Sequence, residues 1–154
     1  MIVVLILAIS AALAVPRIGE TSATRLSAAA RQLVADLAFA QVESIAHSDD
    51  LRVIVFDTTL QQYHIAAASD TATPITNPIT KFPYIVKFGQ GSASQLTNVT
   101  IGTLGVGGDD QLQFGAYGQL DQGAAATIQL VCEGKTIVIT IYPSTGEATL
   151  CSVN

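Results

Sequence analysis

An α+β fold, with one long N-terminal helix packed on an antiparallel β-sheet, is predicted by three observations. The opening run Met1 to Val15, MIVVLILAISAALAV, contains no charge. From Ile18 to Ser48 there is no proline and no glycine after Gly19, and the good helix formers Ala, Leu, Arg and Gln dominate. After Ser48-Asp49-Asp50 the helical period gives way to alternating or continuous apolar residues. A chain of 154 residues holds one domain with a real core, so helix and strands share it.

The opening run is of membrane grade and is closed by Pro16 and Arg17. As a helix it extends only about 23 Å at ~1.5 Å per residue, short of the ~30 Å hydrocarbon core. Two readings are compatible with it. One is a secretory signal peptide, for which Ala12-Leu13-Ala14 offers a small-residue cleavage site; the other is a membrane helix that begins upstream of Met1. A signal peptide wants a basic region ahead of its apolar core, and no Lys or Arg precedes Arg17. That favours the anchor.

In the second segment, Arg25, Gln32, Asp36, Glu43 and His47 recur at spacings that put them on one narrow helical stripe. The remaining surface is apolar on two sides. Leu26, Leu33, Leu37 and Ile45 face roughly one way, and Ala35, Phe39, Val42 and Ala46 another. A helix on a soluble domain usually carries a single apolar stripe. Two such sides call for two partners, the domain's own sheet and something beyond it; the alternative is a core helix wrapped by its own chain.

Strands are expected at Leu51–Asp57, Gln62–Ala66, Tyr84–Phe88, Val99–Leu104, Gln111–Phe114, Thr127–Val131, Thr136–Tyr142 and Ala148–Cys151. The first two make a hairpin across Thr58 to Gln61. Residues 67–80, rich in Ser, Thr, Asp and Asn with two prolines, read as a surface loop.

Composition narrows the function by exclusion. Charged residues make up 12% of the chain, about half the usual ~25% of a globular protein. The net charge is −5 and the seven Lys and Arg are scattered, which argues against nucleic acid as a partner. His47 and His64 stand far apart and lack metal-ligand spacing. The acidic stretch Gly105 to Asp110 lacks the alternating oxygen ligands and closing Glu of a calcium loop and reads as a turn. Asn98-Val99-Thr100 matches the glycosylation pattern, a weak signal. No nucleophile motif, phosphate loop or metalloprotease motif is present, so neither an active site nor a cofactor is expected. Cys132 and Cys151 bracket a strand-turn-strand segment. Export of the chain favours a disulfide between them, worth about 3 kcal/mol in the chain-entropy model; a pair of buried thiols is the alternative.

The run MIVVLILAISAALAVPRIGE, followed by RLSAAARQLVADLAFAQVESIAHSDDLRVIVFD, resembles the N-terminal half of the type IV pilin and type II secretion pseudopilin superfamily, in particular its GspH/FimT-like branch. The stretch FGAYGQLDQGAAATIQLVCEGKTIVITIYPSTGEATL is similar to that branch's closing strands, with a Phe-x-x-x-Gly turn at Phe114 to Gly118 and a Thr-Gly turn at Thr145-Gly146. The resemblance covers roughly residues 1–65 and 114–150.

It implies a structural subunit of an extracellular filament that polymerises through its helix. Residues 1–16 become the membrane anchor and filament core, 17–48 the part of the helix lying on the sheet, and 49–154 the β head. The core and membrane residues are then Ile2, Val3, Val4, Leu5, Ile6, Leu7, Ile9, Leu13, Val15 and Pro16. Identical subunits, the inner membrane before assembly, an assembly ATPase and a prepilin peptidase are the implied partners, with the cell surface as destination. A minor pseudopilin of a type II secretion system, or a minor pilin that takes up DNA, is the alternative function. Family members open on Gly and a Phe-Thr-Leu-Ile-Glu stretch, and Met1-Ile2-Val3-Val4 aligns just after it. A basic leader and such a stretch are therefore expected ahead of Met1.

Overall fold

The structure, a computed structural model, describes residues 22–151. The anchor and core residues expected from Ile2 to Pro16 lie outside the described residues. Helix α1 runs Ser22–Ala46 and is followed by nine strands: β1 Arg52–Asp57, β2 Gln62–Ala67, β3 Asp70–Pro74, β4 Ile85–Lys87, β5 Val99–Gly105, β6 Gln111–Gln113, β7 Ala126–Cys132, β8 Lys135–Ile141 and β9 Ala148–Cys151. The class is α+β, as the sequence predicts. The strands form two antiparallel sheets where one was expected. In the first the order is β3-β2-β1-β6, with β4 on the β3 side of β2; in the second it is β5-β7-β8-β9.

The second sheet is the clearest product of alternation. Ala126, Ile128, Leu130 and Cys132 of β7 turn inward, and Ile137, Ile139 and Ile141 of β8 do the same. Their register sets Ile128 opposite Ile139 and Leu130 opposite Ile137, so branched side chains meet across the strands on the core face. Glu133 and Gly134, both at positive φ, close this hairpin in two residues. In the first sheet Val53, Ile54 and Phe56 of β1 and Tyr63 and Ile65 of β2 are buried. Both sheets feed one core, into which α1 sends Leu26, Leu33 and Leu37.

The region 67–80 differs from the expected loop because it contains β3. That strand, DTATP, shows no apolar alternation and is mostly exposed. It lies at a sheet edge beyond a bulge at Ala66 and Ala67 and ends on Pro74, which an edge strand tolerates. At the opposite boundary, the side chain of Gln61 occupies the edge of β5: its Oε1 accepts the Ile101 amide at 2.5 Å, and its amide reaches the Ile101 carbonyl at 3.4 Å. A side chain thereby ties the β1–β2 turn of one sheet to the other sheet.

The expected disulfide is corrected by the register. Both cysteines are free thiols, Cys132 buried and Cys151 exposed. Cys132 faces the core from β7, whereas Cys151 sits opposite Val138, on the outward side of β8 between the inward Ile137 and Ile139. β7 and β9 are separated by β8, so the chains stand roughly 9–10 Å apart at ~4.8 Å per strand spacing. A disulfide needs Cα atoms within about 7 Å and side chains that converge. Neither condition is met.

Candidate assembly surface

Helix α1 decides which surfaces the domain presents. Leu26, Ala29, Ala30, Leu33, Leu37 and Ala40 are 0–1% exposed, all on the face that meets the sheets. Ser44 continues that face and is also buried; its hydroxyl accepts the Arg52 amide at 2.8 Å and so fixes where β1 starts. The opposite face consists of Thr24, Ala28, Arg31, Ala35, Ala38, Val42 and Ala46, all exposed. Val42 is 62% exposed, and Arg31 is the one charge on this face. The sequence placed Ile45 with the leucines and Phe39 with Ala35 and Val42. The structure moves both: Ile45 is 51% exposed, and Phe39 turns aside to stack on Tyr84 at 5.3 Å.

The polar stripe is turned toward the domain from Arg25 to Glu43, and only its last member, His47, is exposed. Arg25 approaches the Thr97 carbonyl at 3.3 Å and the Glu133 carboxylate at 3.5 Å. Glu43 stands 3.3 Å from His47 and 3.9 Å from Arg52. Asp36 is buried, and its carboxylate accepts hydrogen bonds from the Tyr63 hydroxyl at 2.5 Å and the Tyr84 hydroxyl at 2.9 Å. Burial pushes its pKa above the ordinary carboxylate range, and the two tyrosine hydrogen bonds act in the opposite direction. Burial and the neighbouring carboxylate push both tyrosines upward. The node pins α1 to β2 and to the segment before β4, and no pattern near residue 36 announces its partners.

On the other flank, Gln41 clasps the two turns that carry the family resemblance. Its amide donates to the Gly118 carbonyl and to the Thr145 carbonyl, each at 2.7 Å. Gly146 has φ +67°, and a Cβ there would collide with the Gly118 carbonyl oxygen and the Gln41 amide. The Phe114-to-Gly118 and Thr145-Gly146 turns, remote in sequence, thus meet on one helix side chain. Sequence reasoning found the turns but missed Gln41, an ordinary helix residue by type.

The other singled-out residues serve local structure. His47 Nδ1 faces the Glu43 carbonyl at 3.1 Å, and His64 Nε2 faces the Thr71 carbonyl at 2.9 Å. The Asn98 amide donates to Glu133 at 3.0 Å, and Asp109 accepts the Gln111 amide within its turn. Among the described residues, no helix is long and apolar enough to cross a membrane.

No protein-family model matches the sequence, and no curated protein matches it. The fold, however, has solved counterparts. Two crystal forms of the type IV minor pilin FimU from Pseudomonas aeruginosa share it, one with TM-score 0.58 at 19% identity over 82% of this chain and 88% of that one. The other gives 0.56 at 20% identity over 82% and 93%. The chain has a type IV pilin-like fold.

Proposed function

We propose that this protein is a non-enzymatic structural subunit of an extracellular type IV pilus-like filament, polymerising through its N-terminal helix. The observation that carries the reading is the outward face of α1 on a pilin-like fold. Water is a poor partner for a surface of Ala28, Ala35, Ala38, Val42 and Ala46 broken by a single charge at Arg31. Ahead of it in the chain lies the uncharged run Met1 to Val15, an anchor in the inner membrane before assembly and a core segment afterwards. A prepilin peptidase and an assembly ATPase supply processing and work. Replacing Val42 by Asp in the full chain tests this: the head stays folded by near-ultraviolet circular dichroism while surface filaments disappear. Filaments at normal yield from that variant would refute the role of the face.

A minor rather than a major subunit is the second reading, favoured because FimU is itself described as a minor pilin. Immunogold labelling separates the two, along the whole shaft for a major subunit and sparse or terminal for a minor one.

A further inference from the structure

We propose that the loop Asn77–Phe82 of one copy of this chain docks into the groove between α1 and the β8–β9 turn of the next copy. The proposal rests on the filament reading and names the contact by which neighbouring heads hold one another. The loop is a rigid knob. Asn77 Oδ1 accepts the amides of Ile79 and Thr80 at 2.9 and 3.1 Å. The Asn77 amide donates to the Phe82 carbonyl at 2.8 Å, and the Lys81 amide to the Asn77 carbonyl at 2.9 Å. Its shape is therefore set before any partner arrives, which lowers the ordering cost of binding. The knob holds Ile79 at 88% and Phe82 at 72% exposure, with Ile85 half-exposed at its base. Large apolar side chains clustered on a preorganised tip are anchors of the kind that dominate interface energies.

The groove has the complementary form. Val34, Ala38 and Gln41 of α1 make one wall and Thr145 to Ala148 the other, enclosing about 270 Å³. That space suits one large apolar side chain. The exposed Glu147 stands on the second wall. Lys81 on the knob is also exposed, and among the described residues neither Lys81 nor Glu147 enters an ion pair. Opposite charges beside two matched apolar surfaces of the same chain point to a second copy as the occupant.

The positions on the helix show why such a contact propagates. The cleft beside the knob is bordered by Gln32 and Asp36, with Phe39 stacked on Tyr84; the groove is bordered by Val34, Ala38 and Gln41. At about 100° per residue these sets lie on opposite flanks of α1. Knob cannot face knob while groove faces groove, so the contact is heterologous. It leaves a free knob at one end of a pair and a free groove at the other, the condition for an open polymer.

Cysteine pairing in membranes of cells producing the full chain tests the contact, with Cys151→Ser removing the exposed native thiol. Under mild oxidation, Thr80→Cys together with Ala38→Cys, which keeps both apolar anchors of the knob, gives a ladder of cross-linked species, and Thr80→Cys alone gives none. Lys81→Glu or Glu147→Lys lowers the ladder by about tenfold, and the two together restore it. Dimers from Thr80→Cys alone overturn the head-to-tail arrangement. Filaments formed without the Thr80–Ala38 cross-link overturn this contact and leave the filament reading standing. The cross-link without filaments does the reverse, and the loss of both removes both.

Discussion

The two faces of α1 are nearly equal in charge content and opposite in fate. Inside lie Leu26, Leu33 and Leu37 with small residues between them; outside lie Ala28, Ala35, Ala38 and Ala46 with one Val and one Arg. Hydrophobicity alone does not separate them, but size does. Leucines fill the irregular space above two twisted sheets, where packing density must approach that of a crystal. Alanines leave a shallow surface against which another helix backbone can come close, as small residues do between packed helices. A helix with two apolar sides is thus divided into a side shaped for its own domain and a side shaped for company.

Charge introduced on each face should separate these roles with the largest effect available. Leu33→Asp buries a carboxylate at 0% exposure with no partner and should cost more than about 4 kcal/mol, enough to unfold the head. Val42→Asp, at 62% exposure, should shift stability by no more than about 0.5 kcal/mol. Urea titration of the full chain in mild detergent, followed by tyrosine circular dichroism, measures both. Equal losses from the two variants would mean that the outward face is part of the core after all.

Legibility in the sequence follows the same division between what one segment decides and what distant segments decide together. The strands with inward alternation, β7 and β8 above all, fall where the sequence predicts them to within a residue. The polar edge strand β3 does not, because its pairing with β2 is fixed by neighbours and not by its own pattern. The disulfide expectation failed for a related reason: spacing says nothing about register parity, which sends Cys132 inward and Cys151 outward. Asp36 read as one member of a polar stripe, and its burial depends on hydroxyls 27 and 48 residues away. The knob straddles the end of a stretch, residues 67–80, that composition could only call a loop; its shape is set by the Asn77 side chain together with the backbone bonds Asn77–Phe82 and Lys81–Asn77.

A middle-sized effect probes the flank where Gln41 gathers the two turns. Gly146→Ala places a methyl against the Gly118 carbonyl and the Gln41 amide at a left-handed φ of +67°. The strain and the displaced clasp should together cost about 2–3 kcal/mol. Since Gly146 also lines the groove, the same substitution should weaken the head-to-tail contact. A urea midpoint unchanged from wild type would show that the turns do not depend on the clasp.

A smaller effect than that of Gly146→Ala is expected at the opposite flank, and its sign is the informative part. Asp36 has a folded-state pKa above the ordinary 3.8, chiefly through burial. The folded chain therefore holds that proton more tightly than the unfolded one, so its contribution to stability is greatest below pH 3.8. It declines as pH rises from there through the folded pKa and is constant above. Asparagine imitates the protonated acid: its carbonyl accepts from one tyrosine hydroxyl and its amide donates to the other. Asp36→Asn should thus be more stable than wild type at neutral pH, by on the order of 1 kcal/mol, and the advantage should shrink on acidification. Asp121, also raised by burial, and Asp70, lowered by its Thr73 hydrogen bond, titrate equally in both proteins. They cancel when the urea midpoints of variant and wild type are subtracted at each pH. A difference that grows on acidification, or a variant weaker than wild type at pH 7, would mean that the two tyrosine hydrogen bonds outweigh the burial of the charge. The carboxylate would then be a stabilising joint of the flank rather than a cost borne by it.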